Sequence, residues 1–220
     1  MDRFGGCWAA LRAAVAGLDD QQFDRPSGCA GWLIRDLVCH LIIDAQDVLI
    51  TLATPDDSPP TRNAVTYWEV AEALPPDDPV DPLSALTVRL AAAYGDPSLL
   101  KFHLDDVGSA AGRAAALADP EARVGTRGQV LTVRDYLGAY VLEWTLHHLD
   151  LIAHLPDTAP PPAEGLAFSR KLLESIAGSP LPASWPDADA LLVGTGRRPP
   201  TPAEEADLVT SDARVPVFLS

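Results

Sequence analysis

Cysteine is scarce and unpatterned in this chain. The 220 residues contain three, Cys7, Cys29 and Cys39, with no C-x-x-C spacing. An odd number without that spacing excludes a disulfide framework and fits free thiols in a reducing cytoplasm. Positive charge is also short: 16 Lys and Arg stand against 31 Asp and Glu, a formal net charge of −15. Phosphate binding needs clustered cations, so a nucleic-acid partner is excluded. Many of the acids sit in proline-rich stretches (PDDSPP, PPDDPVDP), where they serve solubility. The N-terminus, MDRFGGCW, has no basic segment followed by an apolar one, and no signal peptide is expected. The longest apolar stretch, residues 37–53, is broken by His40, Asp44 and Asp47, so no membrane span is expected. There is no internal repeat and no strand alternation of any length. What remains is a cytoplasmic, helical chain, long enough for one domain with a sizeable core.

The helical signals are plain. Phe4, Trp8, Leu11 and Val15 mark a first helix over residues 3–18, and a turn-rich loop, DRPSGCAGW, follows at 24–32. A second amphipathic helix runs over 33–53, with His40 at the edge of its apolar arc and Asp44 one turn on. Residues 54–82 are irregular and acidic apart from a short helix near 67–74, and a loop of that length is more often functional than idle. Helices are expected at 83–93 and 98–117, divided by Gly95-Asp96-Pro97, and at 163–177, ended by Gly178.

Residues 132–154, TVRDYLGAYVLEWTLHHLDLIAH, organise the rest. Thr132 is placed as N-cap, and Tyr136, Tyr140, Glu143, His147, Asp150 and His154 fall on one stripe at helical spacing. Leu137, Val141, Trp144 and Leu151 flank the stripe, which turns it inward. Buried ionisable groups need partners. Glu143 and His147, at i and i+4, share a face, and His40 from the second helix completes a set of three metal ligands. Three protein ligands leave a coordination position open, the pattern of catalytic zinc. The alternative is a Glu–His ion pair on a helix surface.

Three segments carry a resemblance. CAGWLIRDLVCHL resembles the C-P-G-W-x-x-R-D-x-x-x-H-L segment of the mycothiol-dependent maleylpyruvate isomerase family, among the DinB-like four-helix bundles. EWTLHHLD matches its E-x-x-x-H-x-x-D at Glu143, His147 and Asp150, and LLVGTGRRPPTPAEE is similar to the T-G-R stretch beyond the bundle. The expected fold is all-α: an antiparallel DinB-like four-helix bundle over 1–178 with the metal site, and a short irregular C-terminal extension over 179–220. The resemblance implies a divalent metal, zinc first, held by His40, Glu143 and His147, with a thiol such as mycothiol taken up as thiolate. That nucleophile would add to an electrophile, giving isomerisation or S-transfer.

Asp150 is placed behind the ligands as a hydrogen-bond partner, and Asp44 is given the same place, with a solvated carboxylate as its equal alternative. Tyr136, Tyr140 and Arg197 are assigned to substrate or thiol binding, against readings as core aromatics and a surface arginine. The sequence departs from the family pattern at Ala30, Leu33 and His148, the last expected to face a loop or solvent, with entry into the pocket as the lesser alternative. The stretch after Gly178 is too short for the separate C-terminal domain of full-length relatives. Expected partners are a small-molecule thiol and its electrophile, with a homodimer left open. Two other readings stand beside this one: a non-catalytic metal-binding or interaction bundle, with 54–82 as its contact surface, and a hydrolase using metal-bound water.

Overall fold

The computed structural model describes residues 2–68, 70–71, 82–211 and 215–219. In chain order its helices are α1 (Asp2–Ala16), α2 (Ile34–Leu52), α3 (Pro82–Tyr94), α4 (Pro97–Leu117), α5 (Val133–Ile152), α6 (Ala163–Ala177), α7 (Asp187–Gly194) and α8 (Pro202–Ser211). Four short strands accompany them: β1 (Val70–Ala71), β2 (Arg123–Thr126), β3 (Gln129–Thr132) and β4 (Phe218–Leu219). The chain is mostly helical, as expected.

Local chemistry sets the helix ends. Leu33 offers no side-chain cap to α2, but Asp36 accepts a hydrogen bond from the Leu33 amide at 2.8 Å, and its charge suits the helix N-terminus. Gly95, at φ +69°, breaks α3 from α4, and Asp96 caps α4 by accepting from the Ser98 amide at 2.8 Å. The Thr132 hydroxyl oxygen accepts from the Asp135 amide at 3.1 Å and so starts α5.

The first core lies between α1, α2, α4 and α5. Trp8 and Trp144 stack there with ring centroids 3.8 Å apart. Trp8 also donates to the Gly108 carbonyl at 2.8 Å, and a Cβ on Gly108 would come within 2.7 Å of the Trp8 ring, so α1 and α4 meet this closely only because residue 108 is glycine. A second core joins the far face of α5 (Leu142, Leu146, Leu149) to α6, α7 and Val217. α5 is therefore buried on both faces. Each large apolar side chain so enclosed contributes about 1.5–3 kcal/mol.

Three expectations are corrected. Residues 121–131, read without a strand, contain the antiparallel hairpin β2–β3, paired from Arg123↔Thr132 to Thr126↔Gln129. Its two-residue turn is Arg127-Gly128, both at positive φ, which matches strand twist and lets so short a ladder form. Within residues 179–220, expected to be irregular, 187–194 and 202–211 form α7 and α8; α7 forms because Leu191 and Val193 have the second core to pack into. The helix expected near 67–74 is replaced at Val70–Ala71 by a strand paired with Phe218–Leu219, and residues 72–81 lie outside the described part.

Candidate metal centre and cavity

α2 and α5 bring their polar stripes together. His40 Nε2 lies 3.1 Å from His147 Nε2 and 3.6 Å from Glu143 Oε1, while His147 Nε2 lies 3.0 Å from Glu143 Oε1. Ligand bonds of about 2.0–2.2 Å around a tetrahedral ion put donor atoms about 3.3–3.6 Å apart, so this triangle fits a divalent ion with a slight opening. The donor types, two imidazoles and a carboxylate, are those of zinc and its neighbours. Asp44, expected only behind the ligands, stands in the same cluster: all four donors lie within 4.8 Å of one another. Its Oδ2 is 3.5 Å from His40 Nε2 and accepts from Trp144 Nε1 at 3.3 Å.

Asp150 stands behind His147. Asp150 Oδ2 lies 3.1 Å from His147 Nδ1, which directs the Nδ1–H to the carboxylate and turns Nε2 to the cluster. Cys29 was missed as a member of this group. Its Sγ lies 3.3 Å from Asp150 Oδ2 and 3.8 Å from His147 Nδ1. The sequence signal was the position of Cys29 at the head of the matched C-x-G-W segment. Gly28 makes the approach feasible: its amide donates to the Asp150 carbonyl at 2.8 Å, and a Cβ there would meet Asp150 Cα at 2.8 Å.

The electrostatics follow from burial and pairing. Burial would raise the Glu143 carboxyl, but His147 and His40 outweigh it and hold it well below its ordinary value. Burial would lower His147, yet Glu143 leads the groups that raise it well above the usual histidine range. Asp44 is pushed up by burial, against the pull of His40. For Asp150 burial is overcome by His147 and Arg197, and its carboxyl stays below the usual range.

A cavity of about 600 Å³ opens above the cluster, lined by His40, Asp44 and Glu143 at the polar end and by Trp32, Tyr67, Trp68 and Tyr140 along the walls. Arg127 also lines it, and its Nη2 donates to Asp47 at 2.9 Å. Of the residues assigned to substrate binding, Tyr140 lines this cavity. Tyr136 does not: it is fully buried behind Tyr140, with ring centroids 4.9 Å apart. Arg197 also lies outside the lining and is committed to Asp150, its Nε lying 3.0 and 3.1 Å from the two carboxylate oxygens. A buried carboxylate next to a flexible arginine captures it, and sequence spacing could not reveal that pairing.

His148 is outside the cluster and lies 3.0 Å from the Ala159 carbonyl through Nε2, so it secures a loop, the first of its expected roles, and does not enter the cavity lining. Cys39 packs in the first core, where burial pushes its thiol up to about 11. His154 falls past the end of α5 and is exposed, so it leaves the stripe.

The model of the mycothiol maleylpyruvate isomerase N-terminal domain family matches residues 4–152. The chain belongs to this family. The match runs from α1 to the end of α5 and so contains every donor of the four-residue cluster, whereas Arg197 and α6–α8 lie beyond it. Searches of curated proteins and of solved structures each returned no match. Among the described residues no helix is long and apolar enough to cross a membrane.

Proposed function

We propose that the protein is a metal-dependent enzyme that activates a low-molecular-weight thiol of the mycothiol kind for addition to an electrophile, ending in isomerisation or S-transfer. One observation carries the reading. In a chain of a mycothiol-related family, two imidazoles and a carboxylate from separate helices converge at the polar end of a cavity large enough for small molecules. We also take α1, α2, α4 and α5 as the antiparallel four-helix bundle of the DinB-like type.

In this reading His40, Glu143 and His147 hold the ion, zinc first among the candidates. A divalent ion supplies Lewis acidity there, lowering the pKa of a bound thiol so that the nucleophile forms near neutral pH. Asp150 accepts the His147 Nδ1–H and keeps Nε2 directed to the cluster. Asp44, held by Trp144, offers a further carboxylate oxygen beside His40 for holding a cation. Trp32, Tyr67, Trp68 and Tyr140 offer flat faces that exclude water around the reacting groups.

Elemental analysis of the purified protein beside Glu143→Ala tests the site. About one zinc, nickel, iron or manganese per chain, lost in the variant, supports the reading. No metal in either protein after incubation with divalent ions removes its basis.

A further inference from the structure

We infer that Arg197, in the segment beyond the family match, is a positioning residue for the metal centre: it fixes Asp150, which in turn fixes the ring of His147. The inference rests on the metal reading above, and it gives residues 179–220 a part in the site rather than the place of an appendage.

The chain of contacts is short and fully placed. Arg197 Nε reaches both oxygens of Asp150, at 3.0 and 3.1 Å. Asp150 Oδ2 also takes His147 Nδ1 at 3.1 Å and the Cys29 thiol at 3.3 Å. The Asp150 carboxylate is 1% exposed, so water cannot replace a lost partner at little cost. Without the guanidinium, only His147 Nδ1 and the Cys29 thiol remain to hold the buried carboxylate. The carboxylate is then free to turn, which loosens its hold on the Nδ1–H of His147. Since partners of this kind commonly govern metal affinity by 10–100-fold, the loss would be read at the cluster itself.

The approach of Arg197 is built by the sequence around it. Thr195 closes α7 by donating from its hydroxyl to the Leu191 carbonyl at 2.7 Å. Gly196, at φ +73°, then reverses the chain. The two arginines that follow part company. Arg197 goes inward to Asp150, while Arg198 bonds Glu204 and Asp189 on the outer side. α7 is itself fixed against α6, since a Cβ on Gly194 would come within 2.8 Å of Leu173 Cδ2, and the Gly194 carbonyl accepts from Val217 at 2.7 Å. From the opposite side the loop at Gly28 closes over Asp150. The carboxylate is thus held between a loop of the matched region and a turn outside it.

The test compares the full chain with Arg197→Met, Arg197→Lys and Arg198→Met. Two quantities are read: zinc affinity by competition with a chromophoric chelator, and the imidazole ring signals of His147, including its Nδ1–H, by nitrogen-15 NMR before zinc is added. Arg197→Met is expected to weaken zinc binding 10–100-fold and to shift or broaden the Nδ1–H signal. Arg197→Lys should recover part of both. Arg198→Met loosens the α7–α8 junction without touching Asp150 and should leave both unchanged. Zinc affinity within twofold of the parent and unaltered His147 signals in a folded Arg197→Met would overturn the inference. Equal losses in Arg198→Met would also overturn it, by showing that general loosening is the cause. If the parent protein binds no zinc, the functional reading fails, while the ring signals still decide whether Arg197 positions His147.

Discussion

The two cores that share α5 are built by different rules. Towards α6 and α7, α5 presents Leu142, Leu146 and Leu149, and the contact is mainly apolar, with one buried hydrogen bond from the Ser169 hydroxyl to the Val141 carbonyl at 3.4 Å. Towards α2 it presents Glu143, His147 and, one turn below, Asp150, set among Tyr140, Trp144 and Leu151. An apolar face needs only volume and shape, and tolerates a partner of similar size. A polar face at the same depth must have every group answered, and here each answer comes from a separate place: His40 and Asp44 from α2, Cys29 from a loop, Arg197 from beyond α7. The apolar side of α5 fixes where the helix sits, and that placement lets the other side bury a polar cluster.

Substitutions on the two faces should therefore fail in opposite ways. The largest effect is expected from His147→Ala, which should abolish metal binding while circular dichroism shows most helix content retained. Leu146→Ala, one residue away on the apolar face, should cost about 2–5 kcal/mol of stability, measured by denaturant unfolding. Its folded fraction should keep full metal content. Metal loss with Leu146→Ala, or unfolding with His147→Ala, would erase the distinction between the faces.

Trp144→Phe probes the seam between the two kinds of core. It removes the indole donor to the buried Asp44 and reduces the stack on Trp8, and a cost of about 1–3 kcal/mol is expected. Weaker metal retention should accompany it, because Asp44 loses its anchor; unchanged retention would mean that Asp44 takes no part in holding the ion.

The smallest effect is expected at the exposed end of the tail. Arg198 holds the Glu204 carboxyl at a pKa of about 2, with help from the Thr201 amide. A folded-state value below the ordinary one near 4.5 contributes stability that is full above pH 4.5 and fades as pH falls towards 2. The melting temperature of Glu204→Gln should accordingly lie slightly below that of the parent at pH 6, and the gap should close near pH 2. A gap independent of pH would assign the effect to packing.

The helices were legible because their signals are local. Phe4, Trp8, Leu11 and Val15 spell α1, Gly95-Asp96-Pro97 separates α3 from α4, and Thr132 marks the start of α5. That His40, Glu143 and His147 would lie close together was legible for a similar reason: Glu143 and His147 share a helix face, and His40 lies in a matched segment. What escaped was made by contacts distant in sequence. Arg197 is 47 residues from Asp150 and Cys29 is 118 from His147, and no periodicity connects them. The hairpin escaped because four residues are too few to show alternation, although Arg127-Gly128 is a turn pair at positive φ. Tyr136 was misplaced because a stripe drawn at helical spacing does not say how deep each position lies.

The central claim is that the cluster between α2 and α5 holds an ion to which a small thiol binds. Cobalt(II) loaded into the protein reports this directly, because a bound thiolate produces a near-ultraviolet charge-transfer band. In a Cys29→Ser background, which removes the protein's own nearby sulfur, a low-molecular-weight thiol is expected to raise that band saturably, and His40→Ala should abolish it. Cobalt bound with no spectral response to any thiol would contradict the account.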